Sequence, residues 1–145
     1  MILSIGIIIL LLSLIAWLGQ VISAVAPITA AKLGLTEKEG EVDSTFYFDV
    51  RAECIWDALT LWTLPLAAIL LIIDGALWPL FSLIGGGIYI YFAGRGIIQR
   101  VLMQGGDIMV GEPKNVKVFY LFLGLWGAIG LVAISMGSFE LMERQ

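Results

Sequence analysis

Four long stretches of this chain carry no charged residue and consist mostly of apolar side chains. They are residues 1–31, 58–73, 75–94 and 118–139. A helix needs about 20 apolar residues, at about 1.5 Å each, to cross the roughly 30 Å hydrocarbon core of a bilayer. The pattern therefore predicts an all-α, polytopic membrane protein whose four transmembrane helices form a bundle.

The composition favours a bilayer over water as the solvent for these stretches. Of the 145 residues, 60% are hydrophobic and 14% are charged. Soluble domains are about 45–50% apolar and about 25% charged, and a chain this short has too little interior to bury the excess. We therefore expect a single four-span domain, residues 1–145, with membrane lipids as partners.

The span boundaries follow from the charges. The predicted spans are about 2–25, 54–73, 77–94 and 118–139, with loops about 27–53 and 95–117. The uncharged stretch 58–73 is only about 24 Å long as a helix, so its span is extended back to Cys54. The first stretch contains a signal-peptide-like Ala24-Val25-Ala26, but no Lys or Arg precedes its apolar residues, so we interpret it as a membrane helix.

Turn residues predict how the middle spans are joined. Asp74 and Gly75 form a turn signal between two apolar stretches. So short a connection predicts a tight antiparallel hairpin of the second and third helices. Pro79 suits the first turn of the third helix, and Pro65 is expected to bend the second.

Basic residues predict the orientation. The two predicted loops hold seven of the eight basic side chains: Lys32, Lys38, Arg51, Arg95, Arg100, Lys114 and Lys117. Only Arg144 lies on the opposite side. Loops rich in Lys and Arg stay in the cytoplasm, so we expect both loops inside and both termini outside, in the cytoplasmic (inner) membrane.

The residues that are missing exclude several kinds of chemistry. The chain has no histidine and one cysteine, Cys54, so haem with paired imidazoles, histidine-ligated zinc and histidine general bases are excluded. A net charge of -4 argues against nucleic acid. We predict no catalytic residues, cofactor or metal, which favours a non-enzymatic role but leaves the question of an enzyme open.

One segment, residues 49–57, concentrates charge beside a span. Asp49, Glu53 and Asp57 lie at i, i+4 and i+8, close to one helix face. Like charges so placed repel each other and need compensation. The candidate polar cluster therefore comprises the three carboxylates with nearby basic side chains: Asp49, Arg51, Glu53, Asp57, Arg95 and Arg100.

This cluster has two interpretations. In the structural one it is an ion-pair network, with Asp57 and Arg95 at the same predicted depth on adjacent spans. In the functional one the carboxylates exchange protons or bind a cation. Both interpretations stay open from the sequence.

Small residues spaced four apart predict close helix contacts, as at Gly19 and Ser23 or Gly124 and Ala128. They suit packing inside the bundle, or a face between copies. We therefore expect a structural or interaction subunit, a homo-oligomer or part of a larger membrane complex. The alternative is an oligomeric proton- or cation-coupled transporter or channel using Asp49, Glu53 and Asp57.

Overall fold

The computed structural model describes residues 2–144, and this part of the chain contains helices but no β-strand. The helices are α1 (Ile2–Val25), α2 (Pro27–Lys32), α3 (Ser44–Thr60), α4 (Thr63–Ile72), α5 (Trp78–Gly105) and α6 (Pro113–Glu143). A short 3-10 helix, Glu39–Glu41, precedes α3. The predicted domain ends, Met1 and Gln145, lie outside the described residues.

Four helical segments are long and apolar enough to cross a membrane: Leu3–Val25, Ser44–Ile72, Trp78–Gly105 and Pro113–Glu143. This confirms the predicted all-helical fold with four candidate spans in the described residues, and it indicates an integral membrane protein. The second segment joins α3 to α4 across Leu61 and Trp62.

The second segment begins at Ser44, well before the predicted start at Cys54. The predicted loop 27–53 is thus largely helical, because α2 and the first half of α3 occupy it. The Asp43 carboxylate accepts a hydrogen bond from the Thr45 N–H at 2.8 Å and caps α3. Phe46 and Val50 are buried one turn apart on α3, in an apolar cluster. The span prediction used only the length of uncharged stretches and therefore did not include this part of the helix.

The predicted loop 95–117 also differs from the structure. Helix α5 continues to Gly105 and α6 begins at Pro113, so only residues 106–112 connect them. Asp107 takes a positive φ of 59°, and the Ile108 N–H donates to the Met103 carbonyl at 2.9 Å. This left-handed cap ends α5 after its basic residues rather than before them.

The same kind of cap ends α4. Asp74 has a φ of 54°, and the Gly75 N–H donates to the Leu70 carbonyl at 2.8 Å. The connection to α5 is therefore only residues 73–77, and Trp78 and Pro79 start the next helix.

Pro65 lies just after the break between α3 and α4. A proline at this position cannot donate to the carbonyl of Leu61, and the regular helix stops at Thr60 and resumes at Thr63. The Thr63 hydroxyl donates to the Thr60 carbonyl at 2.9 Å. A side chain thus satisfies one of the carbonyls at the break.

Glycines let α5 approach its neighbours closely. A Cβ added at Gly85 would lie 2.7 Å from the Leu64 nitrogen of α4, and one at Gly86 would lie 2.6 Å from the Gly130 oxygen of α6. A Cβ at Gly137 would meet the Pro79 oxygen at 2.7 Å. In a bilayer such backbone approach replaces the hydrophobic effect as a source of helix association.

Aromatic side chains tie α1 to the other helices. The Tyr89 hydroxyl donates to the Ser13 carbonyl at 2.8 Å, and Tyr89 is fully buried. The Trp126 indole donates to the Leu12 carbonyl at 3.2 Å, and the Trp17 indole donates to the Ala58 carbonyl at 2.9 Å. These bonds join α1 to α5, α6 and α3.

Candidate functional site

A buried ion pair lies where the loops meet the helices. The Arg100 guanidinium of α5 is 3.0 Å from the Glu37 carboxylate, and the two residues are 6% and 9% exposed. The guanidinium is also 5.2 Å from the Phe46 ring and 5.0 Å from the Phe119 ring. Cation–π contacts on both rings and the carboxylate together compensate the desolvated charge.

A second ion-pair group forms one turn deeper along α5. Arg95 pairs closely with Glu53 and lies 3.6 Å from the Asp49 carboxylate. The Gln99 amide donates to the other Asp49 oxygen. The structure therefore brings together three residues of the predicted cluster, Asp49, Glu53 and Arg95.

Asp57 does not join either pair. It is only 7% exposed, yet within residues 2–144 nothing donates a hydrogen bond or forms an ion pair to its carboxylate. The predicted pairing of Asp57 with Arg95 is therefore not formed. Glu53, one turn nearer the loops, takes the Arg95 guanidinium instead.

Arg51 has a separate role. Its guanidinium donates to the Ser23 carbonyl and, at 3.3 Å, to the Ala24 carbonyl. Both carbonyls belong to the last turn of α1, where the helix dipole is negative and backbone oxygens lack intrahelical donors. Arg51 thus anchors α3 to the end of α1 and lies apart from the carboxylates it was grouped with.

The carboxylates and arginines enclose a cavity of about 70 Å³. Its polar lining includes Gln20, Thr36, Glu37, Glu53, Cys54, Asp57, Tyr91, Arg95 and Arg100. In the described chain the buried Gln20 Oε1 and Arg100 Nε also lack a hydrogen-bond partner. A polar space of this size accommodates a few waters, each of which needs two to four polar groups to hold it.

A wider groove of about 290 Å³ adjoins this cavity. The two share Gln20, Leu35, Thr36, Glu37, Phe119 and Trp126. The groove lies between α1 and α6 and beneath residues 31–41. Its deeper walls include Ile15, Ala16, Phe122 and Trp126, whereas its rim carries Lys38, Glu41, Glu112 and Asn115. Glu41 accepts a 2.6 Å hydrogen bond from Lys38, which raises the pKa of the lysine above its usual value.

Other reactive groups are arranged for packing. Cys54 is buried, and across residues 2–144 no three acidic or cysteine side chains converge to hold a metal ion. In the described part of the chain, the site thus consists of arginines paired with carboxylates, the buried and unpaired Asp57 carboxylate, and the groove between α1 and α6.

The sequence reasoning missed Glu37 and Gln20. Glu37 belongs to an exposed-looking acidic loop, and only the burial of Arg100 singles it out. Gln20 carried a usable signal, since it is an amide inside an uncharged membrane stretch, where polar side chains are costly.

Comparisons with protein-family models, curated proteins and solved structures find no match to this chain.

Proposed function

We propose that this protein is a small interaction subunit of the membrane, in which the four spans pack as a bundle with the second and third as a hairpin. It associates with copies of itself or with a larger membrane complex. Both loops face the cytoplasm and both termini lie outside, in the cytoplasmic membrane.

The observation that carries this proposal is a pair of small residues on the outer face of α6. Gly124 and Ala128 are both exposed, and a Cβ at Gly124 would meet nothing within 4 Å. Gly86 and Gly130 are used for contacts within the chain, but Gly124 and Ala128 are not. Small residues spaced four apart are the usual means of close helix association in lipid.

The compensated charges support the same conclusion. Arg95 and Arg100 are paired with carboxylates of the same chain, and Arg51 is bound to the end of α1. With these three arginines satisfied inside the chain, the long helices present mainly apolar side chains to a partner. Association then depends on how closely a partner helix packs against Gly124 and Ala128.

The test is the mass of the particle in nanodiscs, with identification of whatever co-purifies. We expect a homo-oligomer or a stable larger complex, and we expect Gly124→Leu to reduce it. Gly87→Leu is the matched control, because Gly87 is also exposed with nothing within 4 Å but lies on α5. A monomer without partners, unchanged by Gly124→Leu, contradicts the proposal.

Asp57 supports a second candidate, an oligomeric proton- or cation-coupled transporter. A free carboxylate that is 7% exposed and lines a polar cavity is costly to keep unless it binds something. Leu61 and Leu64, one and two turns beyond Asp57, and Tyr89 of α5 are fully buried, and the cavity does not extend to them. A transport cycle would therefore need α4 to move, and its break from α3 provides a place for that motion.

The transport candidate is tested by flux in liposomes. Proton or cation uptake by the wild type that is abolished in Asp57→Asn, at unchanged oligomeric mass, would support it. Absence of any flux above protein-free liposomes leaves the interaction subunit as the function.

A further inference from the structure

The groove between α1 and α6 has the dimensions of one membrane leaflet. Asn115 lies at its rim and Trp126 at its deep end, and eleven residues of helix extend about 16 Å. That is about half of the roughly 30 Å hydrocarbon core. The Trp126 indole bond to the Leu12 carbonyl closes the deep end.

This length decides which kind of occupant fits. A transmembrane helix of a partner protein needs about 20 residues of apolar surface to lie against, and the groove offers only half that depth. An acyl chain of one leaflet matches it. The groove wall residues Ile15 and Phe122 are exposed on two membrane-crossing helices, so a chain can enter sideways from the bilayer.

The rim adds a charge pattern to the apolar walls. Lys38 and Glu41 form an exposed ion pair, while Glu112 precedes α6 and makes no capping hydrogen bond. One lysine and two glutamates leave a net charge of -1 at the rim. The Asn115 amide and the backbone N–H groups of Lys114 and Asn115 supply hydrogen-bond donors beside these carboxylates, whereas Pro113 has no N–H and the Val116 N–H donates to the Glu112 carbonyl.

We infer that the groove binds a phospholipid with a zwitterionic headgroup that ends in a primary ammonium group, from the leaflet next to the loops. The ammonium group donates to Glu112, and the phosphate accepts from Lys38 and Asn115. A trimethylated amine lacks the N–H donors for Glu112, and a purely anionic headgroup lacks the positive charge. The inference stands independently of the interaction role proposed above.

Native mass spectrometry of the delipidated full chain tests this inference. The protein is mixed with phosphatidylethanolamine, phosphatidylcholine or phosphatidylglycerol of identical acyl chains. We expect one lipid to be retained per chain, with phosphatidylethanolamine retained at least about fivefold more than the other two. Equal retention of all three lipids overturns the headgroup assignment.

Substitutions that fill the groove test whether the lipid binds there. Gly19→Leu adds bulk to the groove from α1, where a Cβ would be 4.0 Å from Leu35 and so fits without a clash. Val118→Trp fills the groove from the exposed face of α6. We expect both to lose lipid retention while Gly87→Leu keeps it. Retention that survives both filling variants, in protein whose melting temperature is unchanged, overturns the site.

Glu112→Gln separates the headgroup from the acyl chain. We expect it to keep the bound lipid but to lose the preference for phosphatidylethanolamine over phosphatidylcholine. An undiminished preference contradicts the role of Glu112. If Gly19→Leu instead lowers the oligomeric mass and no lipid is retained by the wild type, a second copy of the chain occupies the groove and the inference is wrong.

Discussion

The Glu37 carboxylate and the Arg100 guanidinium, 63 positions apart in the chain, meet at 3.0 Å between the rings of Phe46 and Phe119. This contact holds the loop after α2 against the C-terminal part of α5. It also stands beside both cavities, since Glu37 lines each of them.

Removing one partner of this pair should destabilise the fold strongly. Glu37→Gln leaves the Arg100 charge buried without its carboxylate, and breaking a buried pair in this way costs about 3–5 kcal/mol. We expect that loss in the free energy of unfolding, measured by titration with sodium dodecyl sulfate in mixed micelles and monitored by circular dichroism.

The control for Glu37→Gln is Glu41→Gln. It breaks the exposed Lys38–Glu41 pair in the same loop, and exposed pairs contribute little. We expect no measurable change there. Equal effects of the two variants would mean that the Glu37–Arg100 contact does not hold the loop.

Glu53 and Asp57 should respond in opposite ways to loss of charge. Glu53→Gln removes the close partner of Arg95, and we expect it to lower the unfolding free energy by about 1–3 kcal/mol. Asp57→Asn removes a buried charge that has no partner in the described structure, so the variant should be as stable as the wild type or more stable.

The comparison is made by the melting temperatures of the two variants in the same detergent. If Asp57→Asn melts well below Glu53→Gln, then Arg95 depends on Asp57 and the pairing predicted from the sequence is the correct one. If Asp57→Asn is as stable as the wild type, the variant is also suitable for the flux measurement, because a loss of transport could not then be attributed to unfolding.

The sequence predicted the four helical segments that are long and apolar enough to cross a membrane, because long uncharged stretches leave a chain few alternatives. The helix ends were not predicted. Arg95 and Arg100 were taken to mark the end of a span, but the helix itself continues to Gly105, and both arginines pair with carboxylates of the chain. Which carboxylate pairs with which arginine depends on tertiary contacts between distant parts of the chain.

Only part of the candidate cluster was predicted correctly, again because the sequence does not show tertiary contacts. A spacing of four along α3 placed Asp49, Glu53 and Asp57 near one face, and two of them do meet Arg95. The periodicity of one helix carries no information on which residue of a neighbouring helix lies opposite. Pairing of Arg100 with Glu37, and of Arg51 with the end of α1, could not be read from it.

Adjacent glycines on α5 give a sharp test of the α5–α6 contact. Gly86→Ala places a Cβ 2.6 Å from the Gly130 oxygen, so the two backbones must separate. Overpacking of this kind costs about 1–3 kcal/mol. Gly87→Ala meets nothing within 4 Å, and we expect it to be neutral or to stabilise by up to about 1 kcal/mol.

Both alanine variants change the intrinsic helix preference by the same amount, so their difference reports the contact alone. The measurement is again unfolding in mixed micelles. Destabilisation of similar size in both variants would show that α5 and α6 are not packed through Gly86 and Gly130.

The orientation in the membrane is tested by cysteine labelling in a Cys54→Ala background, since Cys54 is buried and small. Gly40→Cys, Lys114→Cys and Ala76→Cys each place one thiol at an exposed position. We expect a membrane-impermeant maleimide to label Ala76→Cys in intact spheroplasts, and the other two only after permeabilisation, because loops rich in Lys and Arg remain inside.

The reverse result would invert the orientation without affecting the fold. Labelling of Gly40→Cys and Lys114→Cys from opposite sides would contradict the four-span arrangement itself, because α3, α4 and α5 together must return the chain to the side from which it started.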